Sequence, residues 1–532
     1  MENKYFKERQ EQYEEMFKEN SDNIINQKIS LRKSKKNETL MSKREKVLSN
    51  KKSSIYEPNI EKGILSEKVL SLYREEKSSY NNVELIITKY FNQLQNSSER
   101  NDDIYFILDR LLFIISSMNE ETLYQVIDHL SLGHKFFDLF EMYNDKVNKI
   151  HIYQTFKILV NISIRKNKYL MNKLINLTSI SYINNFLSNL FKDPIDNSEL
   201  IYQIILFLMN LLEDNSYIQF IYYKYKIFDL LYQFILDNKD TNDKAERNIN
   251  HHIIAFFSLF IAVTFDENEE VYITDKEMII NKLYNLFEFF LTHNYENKDL
   301  LLDVVWGLSN LLINLRETDT FIDSIIKKYF DNILNQLFIL IKMDNDFVVP
   351  IFRIIGNLTS LKDSYCEIFF DSQWSSYLLD LLNEKMVLPK NKILIIWILH
   401  NICAGTKFQC MKKYNMNGTL INVLNNENNS DVVFHILKLY YQIINNSKDN
   451  FWSDDLVEAI ILTIKKDINL KINFVCCFLC EKIFDSKNQN YIKKLNEIGI
   501  KEILENWINL DNEEIRMSAS YILDNYFKNN NA

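Results

Sequence analysis

Five asparagines, Asn161, Asn210, Asn310, Asn357 and Asn401, each stand inside a strongly apolar run. The residues four before them are Lys157, Leu206, Trp306, Arg353 and Trp397. Side chains four apart lie one above the other on a helix face. Each pair therefore sets a carboxamide beside a cation, a leucine or an indole. A carboxamide both donates and accepts, so it can pair with the backbone of an extended peptide. Neighbouring indole faces form slots for the aliphatic stems of Lys or Arg, with cation–π attraction as a supplement. The competing reading is structural, with each buried Asn satisfying a carbonyl between packed helices. Five asparagines in register, two of them with tryptophan, favour the binding reading.

Other chemistry finds little support. Cys476, Cys477 and Cys480 lie in an apolar run with no histidine nearby, which predicts core packing and not zinc ligation. The six cysteines are sparse and confined to the C-terminal part, unlike a disulfide framework. His251-His252 lacks the glutamate and spacing of a metalloprotease and is expected at a helix start. Pairs such as Glu269-Glu270 and Asp454-Asp455 read as solvated surface. No nucleophile elbow is present, and nothing points to an enzyme, a metal or a cofactor.

The elements that hold the asparagines follow from what is scarce. The 532 residues include 7 Gly and 4 Pro, where ordinary usage would give about 37 and about 27. Folds whose turns depend on Gly and Pro are excluded, and so are glycine-rich phosphate loops. With 47% hydrophobic residues the chain can bury a large core. From about residue 65 apolar helices alternate with polar stretches such as 193–198 and 425–430. The asparagines are 49, 100, 47 and 44 residues apart, the gap of 100 spanning a degenerate copy near 256–261. A period of 40–50 in helices marks stacked helical repeats, none of which buries its own apolar face alone. No segment approaches the roughly 18 apolar residues of a membrane span, and the charged N-terminus lacks an apolar signal region.

Charge is uneven. The total is −10. Residues 21–54 hold ten basic and three acidic side chains, a net of +7, and the chain beyond residue 54 sums to −15. A basic arm, expected to be helical over 24–48, precedes an acidic body, and Pro58 and Gly63 mark the boundary. The arm's competing reading is a solvated basic helix or nucleic-acid tail, which the acidic body disfavours.

The stretch Trp397-Ile398-Leu399-His400-Asn401-Ile402-Cys403-Ala404-Gly405 resembles the Trp-x-x-x-Asn-Ile-x-Ala-Gly motif of the importin-α family. Arg353-Ile354-Ile355-Gly356-Asn357 resembles the repeat of that family in which Arg replaces Trp. Leu31-Arg32-Lys33-Ser34-Lys35-Lys36 with Lys43-Arg44 resembles its importin-β-binding segment, and residues 511–527 resemble its last repeat.

The resemblance implies an all-α, right-handed armadillo-repeat superhelix of about ten repeats over 61–532, with an importin-β-binding arm over 1–60. It implies a nuclear-import adaptor, shuttling between cytoplasm and nucleus through the pore, with an export factor at the C-terminal repeats. It assigns importin-β binding to Arg32, Lys33, Lys35, Lys36, Lys43 and Arg44. A main groove for basic nuclear localisation signals maps to Asn161, Asn210 and Asp214. A second maps to Arg353, Asn357, Trp397 and Asn401 with Lys438 and Gln442, and Trp306 and Asn310 stand between the two. The chain departs from the family at several places. Repeats two to four lack tryptophan, Lys157 stands in a tryptophan's place and Arg165 in a glycine's. Leu394 replaces a glutamate, Lys438 and Gln442 replace Trp and Asn, and Glu45 follows Arg44. The rival expectation is a scaffold of the catenin type that binds other peptides.

Overall fold

A computed structural model describes residues 66–78, 83–96, 101–131, 135–136, 138–139, 149–163, 177–212, 216–263, 270–293, 296–315, 321–361, 363–370, 372–404, 415–446, 451–466 and 468–528. The six basic arm residues, Asp214, Arg165 and the whole of 1–60 lie outside this set. Among the described residues the regular structure is helical. No described helix is long and apolar enough to cross a membrane.

Asparagine and aspartate do the work that glycine and proline usually do. Asn119, Asp243, Asn297, Asn469, Asn488 and Asn512 each N-cap a helix, their side chains accepting backbone N–H groups of the first turn. Pro389 opens its helix, where the missing N–H loses nothing. Positive φ is confined, among the described residues, to Ser131, Lys226, Asn415, Lys487 and Gly499. A chain with so few left-handed positions needs little glycine.

The chain divides into two compact units, Met1–Leu111 and Leu112–Ala532. The described part of the first holds Glu67–Ser78, Val83–Asn96 and the start of Asn101–Ser117. Its apolar faces meet through Val69, Ile87, Phe91 and Ile107. Glu76 is buried there against Arg110, and the Tyr90 hydroxyl donates to Glu76 Oε2 at 2.6 Å.

In the second unit, helices recur in groups of up to three. One group is Ser216–Lys224, Ile227–Asn238 and Lys244–Phe260; another is Asp363–Phe370, Gln373–Asn383 and Pro389–Ala404; the last is Gln489–Glu497, Ile500–Ile508 and Glu513–Leu523. The third helix of each group packs on the third helix of the next. That row runs Lys149–Ser163, Ser198–Leu212, Lys244–Phe260, Lys298–Ile313, Val348–Leu361, Pro389–Ala404, Ser430–Asn446, Leu470–Asp485 and Glu513–Leu523. These nine are the inner helices, numbered as repeats two to ten. Three-helix units with their third helices stacked make an armadillo-repeat solenoid of about ten repeats, as the sequence predicts.

The core lies between successive rows. Phe156, Phe207, Phe256 and Phe257 are fully buried, as are Tyr222 and Tyr329, whose hydroxyls donate to the carbonyls of Leu208 at 2.9 Å and Leu308 at 2.7 Å. Cys476, Cys477 and Cys480 are wholly buried, so their packing role stands. Asp454 is exposed and pairs with Lys494, the surface role expected of it. His251 and His252 are not at a helix start. They sit in the middle of Lys244–Phe260, whose true start is Asp243 with Glu246 three residues on. His251 Nε2 lies 3.4 Å from Asp303 on the next inner helix.

Candidate functional site

The inner helices carry every described asparagine of the sequence pattern, and each amide is tied to a neighbouring turn or repeat. Asn161 Nδ2 donates to its own Lys157 carbonyl at 3.0 Å, and its Oδ1 accepts from Ser116 Oγ at 3.3 Å. Asn210 Nδ2 donates to Ser163 Oγ at 3.1 Å, the last residue of the preceding inner helix. Asn310, only 3% exposed, donates to the Ser258 carbonyl at 3.0 Å. Asn357 reaches the Ser309 carbonyl at 3.4 Å, and Asn401 the Gly356 carbonyl at 2.9 Å. The ladder is thus an inter-repeat strap, which is the structural reading of these residues. It coexists with exposure, since Asn210, Asn357 and Asn401 remain partly open.

At Asn310 the strap has a definite cause. The helix Lys244–Phe260 ends with carbonyls that have no partner within it. Ala262 N–H turns to Leu259, leaving the Ser258 carbonyl to Asn310. Asn314 Nδ2 takes the Ile261 carbonyl at 2.6 Å, and Gln219 Nε2 takes that of Phe260 at 2.7 Å. Ser258, Asn314 and Gln219 were not singled out by the spacing of the asparagines. The available signal was a polar side chain within an otherwise apolar run.

Two of the residues four before an asparagine, Arg353 and Trp397, lean back on the preceding repeat. Trp397 rests on Gly356, where an added Cβ would lie 1.8 Å from Trp397 Cζ3. Its partner Asn401 holds the carbonyl of the same glycine. Arg353 places its guanidinium carbon 5.3 Å from the centre of the Trp306 ring. The slot on Trp306 is therefore filled by the protein's own arginine. In repeats two to four no indole is present to form a slot. Lys157 Nζ lies 4.4 Å from the Tyr153 ring, and Leu206 is buried.

The electrostatics of repeats six to eight run against the sign of the whole body. The helices Val348–Leu361, Pro389–Ala404 and Ser430–Asn446 carry Arg353, Lys390, Lys392 and Lys438, and a single acid, Asp431, at the start of its helix. Lys392 is paired with Glu427 at 2.8 Å. Burial lowers Arg353 to about 10 and Lys438 to about 8. His400 is held down to about 3, first by burial and then by the Lys438 and His435 charges. Leu394, where the importin-α pattern has a glutamate, is buried. Among the described residues no group of three or more His, Cys, Asp or Glu is placed to hold a metal.

No family model matches the chain, and no curated protein matches it in sequence. Solved structures do. An engineered protein, a target of the Northeast Structural Genomics Consortium, is 14% identical with a TM-score of 0.57, over 84% of this chain and 98% of its own. A structure concerned with a phosphorylation switch between cadherin and β-catenin is 10% identical with a TM-score of 0.48, over 83% of this chain and 84% of its own. A designed armadillo repeat protein in complex with the peptide (KR)4 is 16% identical with a TM-score of 0.33, over 55% of this chain and 98% of its own. At such identities the first likeness speaks for the fold alone. Together with the three-helix units and the stacked inner helices, it identifies the chain as an all-α armadillo-repeat solenoid.

Proposed function

We propose that this protein is a non-enzymatic armadillo adaptor of the importin-α kind. An extended segment of a cargo protein lies along the inner helices, and importin-β takes the basic arm. The observation that carries the reading is the row of carboxamides on the inner helices, at Asn210 and then on three consecutive helices at Asn310, Asn357 and Asn401. In the partly open members of that row the Nδ2 is engaged by the preceding repeat and the Oδ1 can accept a peptide N–H. The +7 arm supports a second, separate partner. In this reading basic signals engage Asn161, Asn210 and Asp214, an export factor takes the C-terminal repeats, and the protein shuttles between cytoplasm and nucleus.

The test is capture of importin-β by the full-length protein. Replacing Arg32, Lys33, Lys35 and Lys36 together by Ala removes several charge-assisted hydrogen bonds at once, and capture is expected to vanish. Capture unchanged by the four substitutions refutes the arm's role. A second reading, a catenin-type scaffold outside nuclear import, is favoured by one observation, the cationic inner helices of repeats six to eight. It predicts no importin-β capture by the unaltered protein.

A further inference from the structure

Arg353 is 7% exposed, a level at which a charged side chain is normally paired. Among the described residues it makes no hydrogen bond and no ion pair. Its one described contact of this kind is with the Trp306 ring. Its five N–H donors thus have an aromatic face on one side and no acceptor among the described residues. Its own helix, Val348–Leu361, carries no acid. Gly356, one turn on, is covered by Trp397. The next two inner helices bring Lys390, Lys392 and Lys438 against the single Asp431. Lys392 is already neutralised by Glu427.

We propose that the inner face from Trp306 to Gln442 is a site for an acidic peptide, in which Arg353, held over Trp306, takes a side-chain carboxylate of an extended segment of a partner protein. The inference rests on the reading of the inner helices as a peptide-binding face. The charge argument is specific to this stretch. A guanidinium meets a carboxylate through two parallel N–H···O bonds, and its weak hydration and stacking on an aromatic face suit it to a desolvated pair. A lysine or arginine of a peptide would meet Arg353 in the very slot it needs. Asn357 and Asn401 flank the position and offer Oδ1 acceptors to the peptide backbone, which fixes the carboxylate opposite Arg353.

The experiment selects phage-displayed random dodecapeptides on the full-length protein, then titrates a synthetic copy of an enriched peptide by fluorescence anisotropy. Enriched sequences are expected to carry Glu or Asp. Changing that acid to Gln should weaken binding at least tenfold. Arg353→Met should weaken the acidic peptide by the same factor and leave the Gln peptide within twofold, so that the two changes are coupled. Arg353→Lys keeps the charge without the planar fork and should retain part of the preference, which guards against a Met variant that fails to fold. Enrichment of Lys and Arg without acids, or additive effects of the two changes, overturns the proposal while leaving peptide binding intact. A selection that enriches nothing overturns the peptide-binding reading and this inference with it.

Discussion

The strap reading of the asparagine ladder makes a graded prediction. Asn310 is almost wholly buried, and its Nδ2 meets the Ser258 carbonyl at 3.0 Å. That carbonyl lies in the last turn of its helix, within the buried contact between repeats. Asn310→Ala removes a buried hydrogen bond between repeats, which costs about 1–3 kcal/mol. A loss of about 2 kcal/mol is a factor of about 30 in a local opening equilibrium. Asn357 presents a weaker case. Its contact to the Ser309 carbonyl is 3.4 Å long, the side chain is partly open, and Ser309 lies within a helix. A carbonyl inside a helix keeps the backbone N–H four residues on when the amide goes, so Asn357→Ala should cost under about 0.5 kcal/mol, about twofold. Amide hydrogen exchange over residues 253–263 and 305–315 measures the first, and over 305–315 and 352–361 the second. If Asn310 served only as a ligand clamp, its removal would leave exchange in the free protein unchanged. That result refutes the strap, and so does an Asn357→Ala protein that opens as readily as Asn310→Ala.

Two further perturbations follow from the same packing. Gly356→Ala would gain about 1 kcal/mol at an open helical site, but its Cβ would lie 1.8 Å from Trp397 Cζ3; overpacking of about 1–3 kcal/mol should cancel or reverse the gain, with a shifted tryptophan emission, and a variant more stable than the parent contradicts the contact. For His400, held to about 3 in the folded chain against an ordinary value near 6.5, the unfolded chain binds the proton first as pH falls. Stability should therefore drop between about pH 6.5 and pH 3, by up to tenfold in the unfolding equilibrium per unit. His400→Gln removes that share, read as a flatter dependence of urea midpoints over pH 7 to 4.5; equal slopes for the two proteins contradict it.

What the sequence reveals of this protein is what local physics controls. The inner helices, their spacing and the buried Cys476–Cys480 run are set by apolar periodicity within single segments. The Asn-rich turns show in composition because capping is decided within one turn. The start of Lys244–Phe260 is also legible, since Asp243 is an N-cap residue with an acid in the turn that follows, but the paired histidines put the expected boundary in the wrong place. Contacts between repeats were not legible. Arg353 over Trp306 and Asn310 on Ser258 join residues 47 and 52 apart, and nothing in either segment specifies their register. Net charge misleads for a similar reason. The −15 beyond residue 54 is a sum over every face, whereas three consecutive inner helices carry four Lys and Arg and one Asp.

The two readings of the asparagines, structural and binding, compete only if the side chain is treated as a point. A carboxamide has a donor end and an acceptor end. In Asn357 and Asn401 the donor end turns back to the previous repeat, to Ser309 and to Gly356. A hydrogen bond made by Nδ2 fixes which way the amide points, so the Oδ1 is held in one orientation before any ligand arrives. Preorganisation of this kind reduces the ordering cost of binding. The strap and the clamp are then two ends of one group, and the same bond that fastens repeat seven to repeat six aims an acceptor for a peptide. Asn310, buried and committed to a helix end, belongs to the strap alone. In the proposed acidic-peptide site the clamp therefore falls to Asn357 and Asn401, the partly open carboxamides beside Arg353 and Trp397.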